Sequence, residues 1–218
     1  MLRLVCGNLN YSSWSVRPWL ALKHAGLEFR THDVGLKTEE GWKDRILSFS
    51  GAGKVPVLVD GMLSVHESLA ICEYVAELAP AARLWPEDRA LRARGRAISC
   101  EMLSGFSHLR NNMGMNLRGR AGSTPRSPEI DAEVARVLDI WQASLTSSAG
   151  AFLLGDFSIA DCMFFPVAMR FRTYGVELPD FARSYSAALL ALPFVQELER
   201  IAATTPAIPE YDAALALG

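Results

Sequence analysis

The sequence predicts two halves of different class: a mixed α+β half over residues 1–80, ordered βαβ and then ββα, and an all-helical half over residues 81–218. Three observations carry this. Short apolar runs of strand length, each closed by a turn signal, are confined to the first 65 residues. Beyond Pro80, apolar residues recur at the three- and four-residue spacing of a helix face, and no strand signal of comparable quality follows. No internal repeat is present, so a solenoid is not expected.

Leu2 to Cys6 is an apolar run that stops at Gly7, and a helical stretch from about Ser15 to His24 follows, closed by Gly26. Pro18 is expected in the first turn of that helix, where no backbone donor is needed, which leaves Tyr11, Ser12 and Ser13 at its N-terminus. Glu28 to Val34 reads as a second strand and Glu39 to Phe49 as a short polar helix. Val55 to Val59 and Met62 to Val65 read as a hairpin turning at Asp60-Gly61. From Ser68, the residues Ile71, Tyr74, Val75 and Leu78 keep helical spacing up to Ala79-Pro80. In the second half, Ile98, Met102, Phe106, Leu109 and Met113 predict one helix, and Ile130, Val134, Val137, Leu138, Trp141 and Leu145 another. The Gly- and Pro-containing segment 119–128 joins them.

With 218 residues, 50% hydrophobic and 21% charged, the composition is that of a globular chain. The net charge of −2, with basic residues spread along the chain, argues against nucleic acid as a partner and for a small molecule or a protein. The opening residues lack the apolar core of a signal peptide, and charges or prolines interrupt every apolar stretch, so no membrane association and a cytoplasmic location are expected. Cys6, Cys72, Cys100 and Cys162 are far apart within apolar runs and are expected to be buried, unreactive thiols. The four histidines show no ligand spacing, so no metal is expected.

Two motifs carry candidate chemistry. Lys54-Val55-Pro56-Val57-Leu58 places a proline at a strand entry, either as a plain strand start or as a cis bond that opens backbone groups to a ligand. His66-Glu67-Ser68 precedes the Ile71 stripe, and Ser68 there is either an ordinary N-cap or a hydroxyl that, with free backbone N–H groups, suits a carboxylate.

Together, V-P-V-L, the hairpin and H-E-S followed by an apolar helix resemble the glutathione-binding half of the soluble glutathione transferases, and Ser158-Ile159-Ala160-Asp161 resembles the buried capping box of their helical domain. The resemblance implies a thioredoxin-like first domain, glutathione as co-substrate and a homodimer. By it, Val55 beside a cis-Pro56 would pair with the cysteinyl backbone, Glu67 and Ser68 would hold the γ-glutamyl end, and Lys37, Trp42 and Lys54 are candidates for the glycyl end. Segment 10–17, N-Y-S-S-W-S-V-R, is similar to the serine-type loop of the zeta class. Its expected role is a hydroxyl that donates to the glutathione sulfur and so favours the nucleophilic thiolate. Ser12 is the preferred donor; a gapless alignment puts Asn10 there instead, and Ser13 is a third candidate or merely a helix cap. Arg17 is as well suited to a structural role as to substrate contact.

The helix bearing Met102, Phe106, His108, Asn111, Asn112 and Met115 is expected to line the acceptor site, and Glu101 to reach a partner's glutathione. The implied activity is a glutathione transferase acting on a small electrophile by conjugation, isomerisation or reduction. The alternative is a non-catalytic binding or regulatory relative. A disulfide oxidoreductase is disfavoured, because no cysteine lies between Gly7 and Gly26.

Overall fold

The computed structural model describes residues 1–36, 40–213 and 215. Its first half builds β1 (Leu2–Cys6), α1 (Ser13–His24), β2 (Phe29–Asp33), α2 (Trp42–Leu47), β3 (Val57–Asp60), β4 (Leu63–His66) and α3 (Ser68–Leu78). The sheet runs β2-β1-β3-β4, with β1 parallel to β2 and antiparallel to β3, and β3 antiparallel to β4. This is the expected βαβ-ββα order and a thioredoxin-like arrangement. Both sheet faces are covered, and the pleat sorts β1 accordingly: Leu2, Leu4 and Cys6 join the large core, while Val5 packs with Val34, Ile46 and Val57 on the other side.

Helices fill the rest: α4 (Arg89–Ser104), α5 (Ser107–Asn112), α6 (Pro128–Ser147), α7 (Ile159–Tyr174), α8 (Asp180–Leu190), α9 (Pro193–Thr204) and α10 (Pro209–Ala213). Helix α7 is buried along almost its whole length and is the axis of this half. Trp141 from α6 meets Phe164 and Phe171 of α7 and Tyr185 of α8, with ring centroids 6.4, 5.5 and 4.9 Å away. These aromatics are core, as their spacing predicts. One continuous apolar cluster joins α1 and α3 to α4 and α7, so the two halves share their interior.

Four expectations are corrected. Helix α1 begins at Ser13, so Pro18 lies inside it rather than in its first turn. The missing N–H is tolerated because the helix is buried on nearly every side, and that burial outweighs a penalty of about 3 kcal/mol. The 98–113 stripe is two helices, because Gly105 and Phe106 break it. Phe106 sits at φ 58°, and a β-carbon at Gly105 would come within 2.8 Å of the Glu101 carbonyl oxygen. Glu133 on α6 supplies the lost continuity by accepting from the Leu109 amide at 2.7 Å. The hairpin strands start later than expected, since Pro56 has no donor for the ladder and pairing begins at Val57. Finally, Cys100 is exposed on α4, whereas Cys6, Cys72 and Cys162 are buried as expected. Burial pushes Cys6 and Cys72 up to about 12, which keeps both as inert thiols.

Candidate functional site

The turn from β4 into α3 concentrates unusual backbone and an unpaired hydroxyl. Glu67 occupies φ 75°, ψ 128°, a conformation that side chains rarely adopt, and Ser68 is the first residue of the helix rather than its cap. Ser68 is fully buried, and its hydroxyl has no hydrogen-bond partner among the described residues. A buried hydroxyl left unpaired costs about 1–3 kcal/mol, so a site that supplies its partner from outside the chain has a physical reason to exist. Glu67 is exposed beside it. The Val55-Pro56 peptide is cis. Half-buried Val55 lies just outside both β-ladders, which begin at Val57. A γ-glutamyl carboxylate on Ser68 and the α3 backbone amides, with its ammonium at Glu67, fits these groups by sign and by hydrogen-bonding type.

Loop 7–12 leads from β1 into α1. The Ser12 hydroxyl donates to Ser15 Oγ at 2.9 Å, and Ser15 Oγ in turn accepts from the Gly7 amide at 3.1 Å. Ser12 is the residue before α1 and makes no side-chain cap, so its hydroxyl is held only by another hydroxyl, a partner that can rotate. Ser13 Oγ accepts from Arg170 Nη2 at 3.2 Å. Asn10 is fully buried: its amide donates to Asn116 Oδ1 at 2.8 Å, and its carbonyl oxygen accepts from the Arg118 amide at 3.1 Å.

Buried guanidinium groups gather behind this loop. Arg17 is fully buried with Nε on the Met163 carbonyl at 3.2 Å, the Trp14 ring 4.1 Å away, and Nη1 and Nη2 without partners among the described residues. Arg170 is buried too, with Nε on the Met113 carbonyl at 2.7 Å and Nη1 without a partner among the described residues. Arg110 lies over the same Trp14 ring, 5.2 Å from its centroid. Burial, then repulsion from Arg170 and Arg110, lowers Arg17 to about 9; burial, then repulsion from Arg110, lowers Arg170 to about 10. Interior guanidinium groups with no carboxylate bound to them favour an anion nearby.

Other expected residues fall elsewhere. Lys54 is exposed; Trp42 is half-buried on the Val5–Ile46 cluster; Lys37 lies outside the described residues. Lys43, which sequence reasoning passed over, lies 5.3 Å from the Trp42 ring and donates to the Gly53 carbonyl at 3.1 Å. Met102, Phe106 and Met115 are buried, whereas His108, Asn111 and Asn112 are exposed, so these six do not form one lining. Glu101 is held within the chain by a bidentate contact to Arg136 at 2.7 and 2.9 Å. The residues missed outright are Arg110, Arg170, Asn116, Arg118 and Asp212. No local pattern marks them, because each comes to the loop from far along the chain.

The profile of the glutathione S-transferase N-terminal domain matches residues 11–78, and that of the C-terminal domain matches residues 124–203. A probable maleylacetoacetate isomerase from Caenorhabditis elegans is 33% identical over 171 residues, covering 78% of each chain. The maleylacetoacetate isomerase of Rattus norvegicus is 30% identical over 190 residues, covering 84% of this chain and 85% of its own. In fold, the crystal structure of a glutathione transferase homologue from Burkholderia with bound glutathione superposes with TM-score 0.71 at 22% identity, over 93% of this chain and 97% of its own. Matched in both halves by sequence and along nearly its whole length by fold, the chain belongs to the glutathione S-transferase family.

Proposed function

We propose that this protein binds glutathione and uses its sulfur, as a thiolate, on a small electrophile, by conjugation or by the transient addition that permits isomerisation. The observation that carries the reading is the buried, unpaired Ser68 hydroxyl beside strained Glu67 at the start of α3, next to the cis Val55-Pro56 turn. In this reading Glu67 and Ser68 bind the γ-glutamyl end, the Val55 backbone takes the cysteinyl part, and Lys54, Trp42 and Lys37 serve the glycyl end. Ser12 donates to the sulfur. The thiolate is the nucleophile when the tripeptide is bound, and the buried positive charge of Arg17 and Arg170 favours its ionised form. Asn10, with its amide committed to Asn116 and Arg118, serves better as an anchor of the loop.

Two curated relatives named maleylacetoacetate isomerases make a cis–trans isomerisation of that kind the first turnover to assay. The rival, a glutathione-binding protein without turnover, draws on one observation: an amide, Asn10, where the gapless alignment expects the catalytic hydroxyl or thiol. Millimolar glutathione should raise the melting temperature, because a ligand that binds only the native state stabilises it by mass action, and Ser68→Ala should shrink the rise. No shift and no calorimetric heat would remove the binding assignment. Binding without turnover of any electrophile would favour the rival.

The same reading places the glutathione half at residues 1–80 and the helical half at 81–218, supported by the end of α3 at Leu78 and the restriction of all four strands to residues 2–66. A cytoplasmic location is supported by cysteines that are all free. Among the described residues no helix is long and apolar enough to cross a membrane. A homodimer is supported by exposed Met62 and Leu63 at the β3–β4 hairpin and Leu78 at the end of α3. Met102, in contrast, is buried within its own chain and needs no partner. Light scattering should give about twice the 23.9 kDa of one chain, and a mass near one chain at micromolar concentration would end the dimer.

A further inference from the structure

The C-terminal segment, folded back across the loop that carries Ser12, is attached in an unusual way. Helix α10 buries none of its residues; Ile208 just before it is buried, and Leu215 just after it is half-buried against the core. Three polar ties meet at one side chain. The Tyr11 hydroxyl donates to Asp212 Oδ1 at 2.8 Å, and accepts from Arg118 Nη2 at 2.8 Å and from the Ile208 amide at 3.1 Å. The Tyr211 ring lies 5.2 Å from the Tyr11 ring. Asn8 Nδ2 donates to the Pro206 carbonyl at 3.0 Å, and Arg118 Nη1 to the Thr205 carbonyl at 2.7 Å. Asp212 Oδ1 also accepts from Asn116 Nδ2 at 2.8 Å, and Asn116 Oδ1 accepts from Asn10 at 2.8 Å. Arg118 and Asp212 approach to 3.6 Å.

So Asn8, Asn10 and Tyr11, three of the four residues running from Asn8 to Tyr11, are each bound to segment 205–212 or to residues 116–118. Ser12 follows directly: the Ser13 amide donates to the Tyr11 carbonyl at 3.0 Å, spanning Ser12, and the Tyr11 and Ser12 amides both donate to the Asn8 carbonyl, at 3.1 and 2.8 Å. A hydroxyl that donates to a sulfur is effective only when held close to the productive geometry by groups behind it.

We infer that Tyr11, held by Arg118 and Asp212, is a positioning residue that sets the Ser12 hydroxyl against the glutathione sulfur, so that the C-terminal segment 205–212 is part of the catalytic apparatus. This rests on Ser12 being the donor. Glu67 and Ser68, the residues proposed for the γ-glutamyl end, lie at the start of α3, outside this network. Loosening it therefore affects the charge state of the sulfur and not the hold on the tripeptide.

The test titrates the bound thiol by its ultraviolet absorbance in the full-length wild type, Tyr11→Phe, Asp212→Ala, Asp212→Glu and Ser12→Ala, with glutathione affinity from calorimetry. Tyr11→Phe keeps the ring and loses three hydrogen bonds; Asp212→Ala alters an outer residue and keeps the tyrosine, which guards against a folding failure in the first. Both should raise the bound thiol pKa by about one unit, the scale of one hydrogen bond to a charged group, and leave affinity for glutathione unchanged within about threefold. The acid limb of the pH–rate profile should move by the same amount, and Asp212→Glu should restore part of it. If Ser12→Ala raises the thiol pKa while Tyr11→Phe and Asp212→Ala leave it in place, the positioning role is wrong and the Ser12 reading stands. If no variant moves it, both are wrong.

Discussion

Replacing Asp161 with alanine is expected to lower the unfolding free energy by about 3–5 kcal/mol while leaving glutathione binding intact in the folded fraction. The carboxylate is fully buried and accepts from four donors: the Leu153 amide at 3.0 Å, the Ser158 amide and hydroxyl at 2.8 Å each, and the Tyr185 hydroxyl at 3.1 Å. Only the Ser158 contact is the capping arrangement expected from S-I-A-D. The other two tie the 153 turn and α8 to the start of α7, so alanine strands donors in three places at once. Urea denaturation measures the loss; an unchanged midpoint with abolished turnover would instead make Asp161 a residue of the reaction.

Its titration gives a second signature. Burial raises the carboxyl from 3.8 to about 6, and the four donors pull it back only in part. Between those values the folded chain holds more protons than the unfolded one, so this group's contribution to stability falls as pH rises from about 4 to about 6. From pH 7 to pH 4, the wild type should gain about 2 kcal/mol relative to Asp161→Asn, which cannot titrate. Identical pH dependence in the two proteins would contradict a raised carboxyl.

Removing the Ser12 hydroxyl is the change expected to act most on the chemistry. In Ser12→Ala the bound glutathione thiol should titrate about one to two pKa units higher, the equivalent of about 1.5–3 kcal/mol for one lost hydrogen bond to a charged group. The turnover rate at neutral pH should fall in proportion to the lost thiolate, with affinity nearly unchanged. The hydroxyl now donates to Ser15 Oγ, a soft partner it can exchange for an anion, and it stands at the positive end of a twelve-residue helix. Asn10→Ala provides the contrast. With its amide already bound to Asn116 and its carbonyl to the Arg118 amide, its loss should reduce stability before it alters the sulfur. A thiol pKa moved by Asn10→Ala and not by Ser12→Ala would reverse the two roles.

The sequence by itself determined the order of the sheet and helices in the first half, because the strand runs, the turn residues and the apolar stripe of α3 are local signals that hold wherever the chain goes. It also determined the pairing of Ser158 with Asp161, a three-residue relation. It misplaced the start of α1 and joined α4 to α5, because propensity rules assign proline to a helix entry and overlook a single bulky residue at positive φ, while burial overrides both. Only the tertiary structure decided what surrounds the serine loop. Tyr11 meets Asp212 across 201 positions and Arg118 across 107, and Ser13 meets Arg170 across 157. Such pairs leave no trace in spacing, since hydrogen bonds and buried charge depend on distance in space, and that distance is set by packing the helical half against α1.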